Sequence, residues 1–415
     1  MPRTRQFLLM VFAFVVLAAG RDASAVPGCP FCGPTDPPFS QRLAQCDAAV
    51  QVKWVSLVSD EVKQTETTTF EIVEVVKNWE RPLKEGQRVT LPFGRDGQPG
   101  DLFLLIGKYD EDDKSLNWEL PVQLNGEYLY PYIRQVPSPE APDRLTFFLK
   151  FLEFSDAEIA GDAFAEFSRA QYKDVAALAP MLPRGKLHKW LSSKDPAMQV
   201  RLGLYGMLLG LSGDDSDAKF LESLILTLPD PERPRFGIDG MMAGYILLQR
   251  ERGLDKLLAA KFDDPLAEDD LLPLRNALVF VWDYARDRVP TETLQAAMRR
   301  YLDRPRLASS VLPDLARWKD WSVLDRLIKS YGEAPFDADL AKQDIVKFAL
   351  VCERDGLKKS ADAPPATALE ARQFLNGLDP DFVRGVERSL GGLPRPSNSP
   401  KSKEASSDGG SATPL

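Results

Sequence analysis

The stretch from Gln199 to Gly332 constrains this chain more than any other, because it repeats. One unit is a mostly apolar helical segment, a short polar turn and a second, amphipathic helical segment. Val200 opens such a unit, and equivalent openings recur at Gly237, Leu272, Leu307 and Leu340, at steps of 37, 35, 35 and 33 residues. A period of that length built from two helices is the signature of an α-solenoid, whose repeats bury their apolar faces against one another. Val200–Leu211 is apolar nearly all round, as a helix enclosed by neighbours should be. Gly213 and the following aspartates turn the chain, and Phe220, Leu221, Leu224, Ile225 and Leu228 line the return helix. The next unit buries Ile238, Met241, Met242 and Tyr245.

Gly206/Gly210 and Gly240/Gly244 stand four apart on equivalent helices of successive units. Glycine costs about 1 kcal/mol in a helix interior, so the pattern means either backbone-close packing of those helices or simple tolerance. Later stripes continue the series: Leu294, Ala297, Met298, Tyr301 and Leu302, then Leu324, Leu327, Ile328 and Tyr331. Earlier ones place Leu145, Phe148, Leu149 and Leu152 on one face, and Ile159, Ala163, Phe164 and Phe167 on another, with Asp156 as cap. Helices therefore occupy residues 143–390. Pro273 and Pro313 sit near the starts of first helices, a habit similar to HEAT repeats.

Upstream the period changes. Val50, Val52 and Trp54 alternate on one face, as do Thr68, Phe70, Ile72 and Glu74, which marks strands. Arg88–Leu91 and Asp101–Ile106 are further strands, the latter apolar throughout and expected at the centre of a sheet. Leu116–Leu120 adds a hairpin strand. Residues 48–135 are thus expected to form a small antiparallel β-barrel or sandwich, with Val50, Val52, Trp54, Phe70, Ile72, Leu104 and Ile106 facing inward. Three prolines within Val136–Pro142 mark a linker. The fold class is α+β in two domains, the small barrel followed by an α-solenoid.

The front half resembles a known module. Cys29-Pro-Phe-Cys32, Leu43-Ala44 before Asp47-Ala48-Ala49-Val50, the Phe70–Lys77 strand, Leu83–Val89 and Gly100–Leu105 are similar to the netrin-type module. That is the OB-like barrel shared with tissue inhibitors of metalloproteases, and the resemblance spans roughly residues 29–135. It implies protease inhibition as one function to consider. In those inhibitors the free amine of an N-terminal cysteine chelates the protease zinc. Here Val26-Pro27-Gly28 precede Cys29 after cleavage, so that mechanism does not carry over. The whole chain resembles a group of exported proteins of planctomycete-type bacteria, a kinship that implies an architecture and no activity.

Arg3 and Arg5 precede an apolar run, Phe7–Ala19, followed by Ala23-Ser24-Ala25, which is the pattern of a secretory signal peptide over residues 1–25. The run's 13 residues fall short of the roughly 20 a membrane span needs. An exported, periplasmic or extracellular protein without a membrane span is expected. Its 52 Lys and Arg against 61 Asp and Glu give a net charge of −9, which argues against nucleic acid as a partner. Residues 26–47 form a Pro-, Gly- and Cys-containing lead with one short helix near Ser40–Cys46. Residues 391–415, rich in Ser, Pro, Gly and Lys, read as a disordered tail.

Export permits disulfides. Of the four cysteines, Cys29, Cys32 and Cys46 are the candidates, with Cys29 expected to pair with Cys32 or Cys46. Cys352 falls in register with Ile345, Phe348 and Ala349 and is expected as a reduced core residue. A Cys-x-x-Cys pair also suggests a thiol–disulfide oxidoreductase, but such enzymes place it at a helix start after a strand, and no βαβ pattern surrounds Cys29. The single histidine, His188, leaves no multi-histidine metal site and is expected on a solvated flank. The acidic runs at Asp110–Asp113, Asp214–Asp217 and Glu268–Asp270 lack calcium-loop spacing and read as turns and caps. No catalytic residue, metal or cofactor is assigned. Arg317, Trp318, Lys319 and Trp321 form a candidate recognition patch, since tryptophan and arginine are enriched at binding hot spots. The function these features imply is non-enzymatic: an exported scaffold binding a protein or cell-surface component through the helical repeats.

Overall fold

The computed structural model describes residues 28–60, 64–80, 82–227, 235–360 and 363–391. The expected signal peptide over 1–25, Leu228 of the return helix and the expected tail beyond Gly391 lie outside those residues. Contacts divide the chain into two compact units, one ending at Leu182 and the other beginning at Pro183.

The first unit opens with α1 (Phe39–Gln45) and six strands: β1 (Ala48–Asp60), β2 (Thr65–Lys77), β3 (Arg88–Leu91), β4 (Leu102–Asp110), β5 (Ser115–Trp118) and β6 (Val122–Gln123). All pairings are antiparallel, in the order β3-β2-β1-β4-β5, with β6 also on β4. Three register shifts between β1 and β2 add local twist, and a strongly twisted ribbon curls the sheet. The result is a curled half-barrel, with no pairing between β3 and β5.

Its enclosed face gathers Val50, Val52, Phe70, Ile72, Val89, Leu91, Phe103 and Leu105, with Trp54 and Trp118 packed at the margin. The register pairs Val50 with Leu105 and Val52 with Phe103. The inward expectation for Val50, Val52, Trp54, Phe70 and Ile72 therefore holds, while Leu104 and Ile106 are corrected by one residue. They are buried on the opposite face. A strand covered on both sides carries no alternation, so its own sequence does not say which residues face the cluster.

Four helices follow within the same unit: α2 (Leu129–Ile133), α3 (Arg144–Leu149), α4 (Ala157–Arg169) and α5 (Tyr172–Ala177). The boundary expected at 136–142 is thus not where the compact units part. The reason is polar. Asp162 and Glu166 on α4 are buried, and buried carboxylates need partners. Asp162 accepts from the Phe39 N–H at 2.6 Å and the Tyr132 hydroxyl at 2.6 Å. Glu166 accepts from the Ser40 hydroxyl and from Arg144. These bonds bind helices 129–169 to the lead and α1.

The second unit is helical. It contains α6 (Arg184–Leu191), α7 (Pro196–Gln199), α8 (Leu202–Ser212), α9 (Asp215–Leu226), α10 (Ile238–Phe262) and α11 (Leu271–Tyr284). It continues with α12 (Thr291–Arg299), α13 (Leu312–Arg317), α14 (Leu324–Lys329), α15 (Asp339–Lys359), α16 (Ala366–Asn376) and α17 (Pro380–Ser389). Arg250, at φ 56, breaks α10 into two helices across a kink.

The glycine spacing is a contact. A Cβ at Gly206 would stand 2.6 Å from the Met241 nitrogen, and Gly210 lies against Gly244. Gly237 sits at φ +68, with no room for a side chain beside Leu202 and Gly203. So α8 and the first half of α10 pack backbone to backbone in parallel register.

Polar contacts recur at similar offsets. Glu222–Lys256, Asp215–Gln249, Lys319–Asp355, Arg300–Asp263 and Arg275–Asp314 join residues 34 to 39 positions apart. Buried acids are matched by cations from adjacent segments: Asp270 by Arg235 and Lys261, Asp314 by Arg275, Asp320 by Arg299. Pairing of this kind is the condition for holding charges out of water.

Candidate functional site

The cysteines resolve simply. Cys29 is bonded to Cys32 with Cα atoms 5.4 Å apart, while Cys46 and Cys352 are buried and free. Burial pushes the Cys46 thiol up, against the pull of Lys77, and pushes Cys352 up to about 11. Lys77 serves the backbone instead, donating to the carbonyls of Leu43 at 2.9 Å and Cys46 at 2.5 Å at the end of α1.

The Cys29–Cys32 turn docks on the last turn of α4. The Cys29 N–H donates to the Ser168 carbonyl at 2.7 Å, and Arg169 donates to the Thr35 carbonyl at 2.6 Å. Activated Cys-x-x-Cys thiols sit at helix N-termini. A helix C-terminus carries partial negative charge, which works against a thiolate. The location suits a clasp.

Arg317, Trp318, Lys319 and Trp321 are brought together, but not as an open surface. Trp318 is 3% exposed and stacks on Trp282 at 4.3 Å and 8°. Arg317 pairs with Asp283 and Asp314. Asp355 takes both Lys319 at 2.6 Å and the Trp321 Nε1–H at 3.2 Å. Two indoles flanking a tight corner make that corner's core, and the neighbouring charges are engaged locally.

His188 keeps a side chain 35% exposed, yet it is engaged on its inner side. Its Nε2 lies 2.5 Å from the Asp217 carboxylate, and its ring stacks on Phe220 at 4.1 Å. Burial pushes Asp217 up, but bonds from His188, the Asp214 N–H and Arg184 hold it below the usual carboxylate range. These residues tie α6 to the capped start of α9.

Two features escaped the sequence. On α4, burial raises the pKa of both Asp162 and Glu166, against bonds from Tyr132 and Ser40 respectively. The only hint was a pair of acids at i and i+4 beside an apolar stripe. The second is a cleft of about 580 Å³ in the first unit. Arg42, Arg95, Glu119 and Glu158 line it, together with Leu120 and the β6 residues Val122 and Gln123. Arg42 holds Glu119 through Nε and Nη2, at 2.9 and 2.7 Å. Four separated segments build this cleft, so no local motif announces it.

On the second unit, large apolar side chains stand exposed near the starts of four helices. Val200 is 58% exposed, Phe236 45%, Leu272 46% and Leu340 74%. Val200 and Phe236 each lie two residues before a helix, at α8 and α10, and Leu272 and Leu340 are the second residues of α11 and α15.

Among the described residues, no group of three or more His, Cys, Asp or Glu is placed to hold a metal ion. No helix among them is long and apolar enough to cross a membrane. No family model, no curated protein and no solved structure matches this chain.

Proposed function

We propose that the chain is an exported binding protein whose helical unit is an α-solenoid presenting a docking edge to a protein partner. One observation carries this reading: the exposed Val200, Phe236, Leu272 and Leu340 fall at four of the five unit openings, the opening at Leu307 being the exception. Single exposed apolar residues are ordinary on protein surfaces. Their recurrence at equivalent positions is different, because helices packed in parallel at about 8–10 Å set such residues in one row. The contacts at offsets of 34 to 39 residues support the solenoid. A row of this kind suits an elongated, partly apolar partner, as repeat proteins use extended surfaces.

The test is crosslinked capture from envelope and secreted fractions, comparing the wild-type chain with Phe236→Glu/Leu272→Glu. A defined partner enriched by the wild type and lost from the variant, with helical content unchanged, supports the reading. Equal recovery by both proteins refutes it.

A further inference from the structure

We propose that the cleft of the first unit is a binding site for a short extended peptide ending in a free carboxylate. This site is separate from the docking edge of the helical unit and does not rest on it.

The charge balance of the cleft selects the ligand. Arg42 is already neutralised by Glu119. Arg95 has no carboxylate or hydrogen-bond acceptor at its guanidinium among the described residues, and its Nε is shut off from water without a partner. Packing holds it in place, with the guanidinium carbon 5.6 Å from the centre of the buried Phe103 ring. The Nε is closed to a ligand too, so the Nη donors are the ones a ligand in the cleft can reach, and they have no acceptor of their own. Carboxylates are the natural acceptor for a guanidinium fork.

The rest of the lining rules on charge number. Asp36, Glu119 and Glu158 stand on the same walls. They repel a polyanion such as a phosphate ester or nucleic acid, and they accept from N–H donors. A ligand with one negative end and a train of N–H groups meets both requirements. An extended peptide with a free C-terminus is that ligand.

The sheet supplies the backbone side. β6 pairs with β4 alone, and Val122 and Gln123 line the cleft at this edge of the sheet. Edge strands are templates for an added strand. Leu120, 76% exposed, offers apolar contact beside it. The volume of about 580 Å³ lies within the range of small-ligand pockets, roughly 300–1,000 Å³.

Trp54 provides a reporter, since its Nε1–H donates to the Arg95 carbonyl at 2.9 Å. Tetra-alanine and its C-terminal amide are titrated into the full chain, followed by calorimetry and by the Trp54 indole N–H resonance. The expected result is saturable binding of the free acid that moves this resonance, with the amide at least ten-fold weaker. Arg95→Met should lose at least ten-fold with its folded spectrum intact. If that variant does not fold, the acid-against-amide comparison in the wild type still decides. No saturable binding of the acid at millimolar concentration, equal binding of the amide, an unaffected Arg95→Met, or tighter binding of inorganic phosphate than of the peptide would each overturn the proposal.

Discussion

Replacing Gly206 by alanine should destabilise the helical unit, although alanine is the better helix former. The added methyl would stand 2.6 Å from the Met241 nitrogen, 2.7 Å from its Cα and 2.9 Å from the Gly240 carbonyl carbon. Non-bonded carbons rest at about 3.5–4.0 Å, so α8 and α10 must separate by roughly 1 Å at the crossing. All three obstructing atoms are backbone, so no side-chain rotation relieves the clash. A gap of that size forfeits a quarter to a half of the dispersion energy of the atoms lining it. Overpacking of this kind costs about 1–3 kcal/mol and sometimes more. Alanine returns about 1 kcal/mol of helix propensity.

With no rotamer escape the upper part of the cost applies, and the net expectation is a loss of about 1–2 kcal/mol. Gly385 is the control. It lies within α17 with nothing within 4 Å of its ideal Cβ, so Gly385→Ala should gain about 0.5–1 kcal/mol. Urea midpoints, read by the fluorescence of Trp190, Trp282, Trp318 and Trp321, give the comparison. If Gly206→Ala stabilises the unit as Gly385→Ala does, the close helix packing is wrong.

Four further outcomes can be checked. Phe70→Asp should unfold the first unit, because Phe70 is fully buried and meets Phe103 edge-on at 5.3 Å, leaving the new charge unpaired; a native near-ultraviolet spectrum would contradict this. Trp318→Ala should cost about 3–5 kcal/mol in the second unit as a core truncation, and a stable variant that merely loses a partner would restore the recognition patch. Cys29→Ser/Cys32→Ser should lose about 2 kcal/mol or less from so short a loop and raise amide exchange only near the lead, whereas global unfolding would refute a clasp. The fourth concerns pH. Burial raises the pKa of Asp162 and Glu166, so this folded carboxylate network binds more protons than the unfolded chain. Its stabilisation is complete below the ordinary carboxylate range and falls as pH rises through the raised values. The protection factor of the Phe39 amide should decline over that window and flatten in Asp162→Asn/Glu166→Gln, and protection that grows with pH would refute the assignment.

Periodicity and composition made much of this architecture legible. Alternation placed Val50, Val52, Phe70 and Ile72 on one face: on β2 one side is wetter than the other, and on β1 the polar Gln51 and Lys53 interrupt the apolar residues although Ala48–Val52 is buried throughout. The recurrence near 35 residues fell at the starts of α8, α10, α11 and α15, and the glycine pairs marked where α8 and α10 meet. Where local pattern vanished, the reading failed. The Leu102–Ile106 run is apolar on both faces, so only pairing with β1 chose Phe103 and Leu105 for the cluster. The tryptophan patch is covered only in part, because a residue's type does not say whether the chain folds over it: Trp318 lies under Trp282, while Arg317 and Lys319 stay exposed.

What the sequence determined by itself was therefore what neighbours along the chain can specify: helix and strand, their period and the positions of turns. Tertiary structure alone decided the rest. It set the parting of the units at Leu182 and Pro183, the choice of Cys32 over Cys46 for Cys29, the partners of Asp162 and His188, and the cleft beside Arg95. Each of these joins separate segments, and the free energy that selects them comes from burial and desolvation. Those terms belong to the space around a residue, and the residues beside it in the chain carry no record of them.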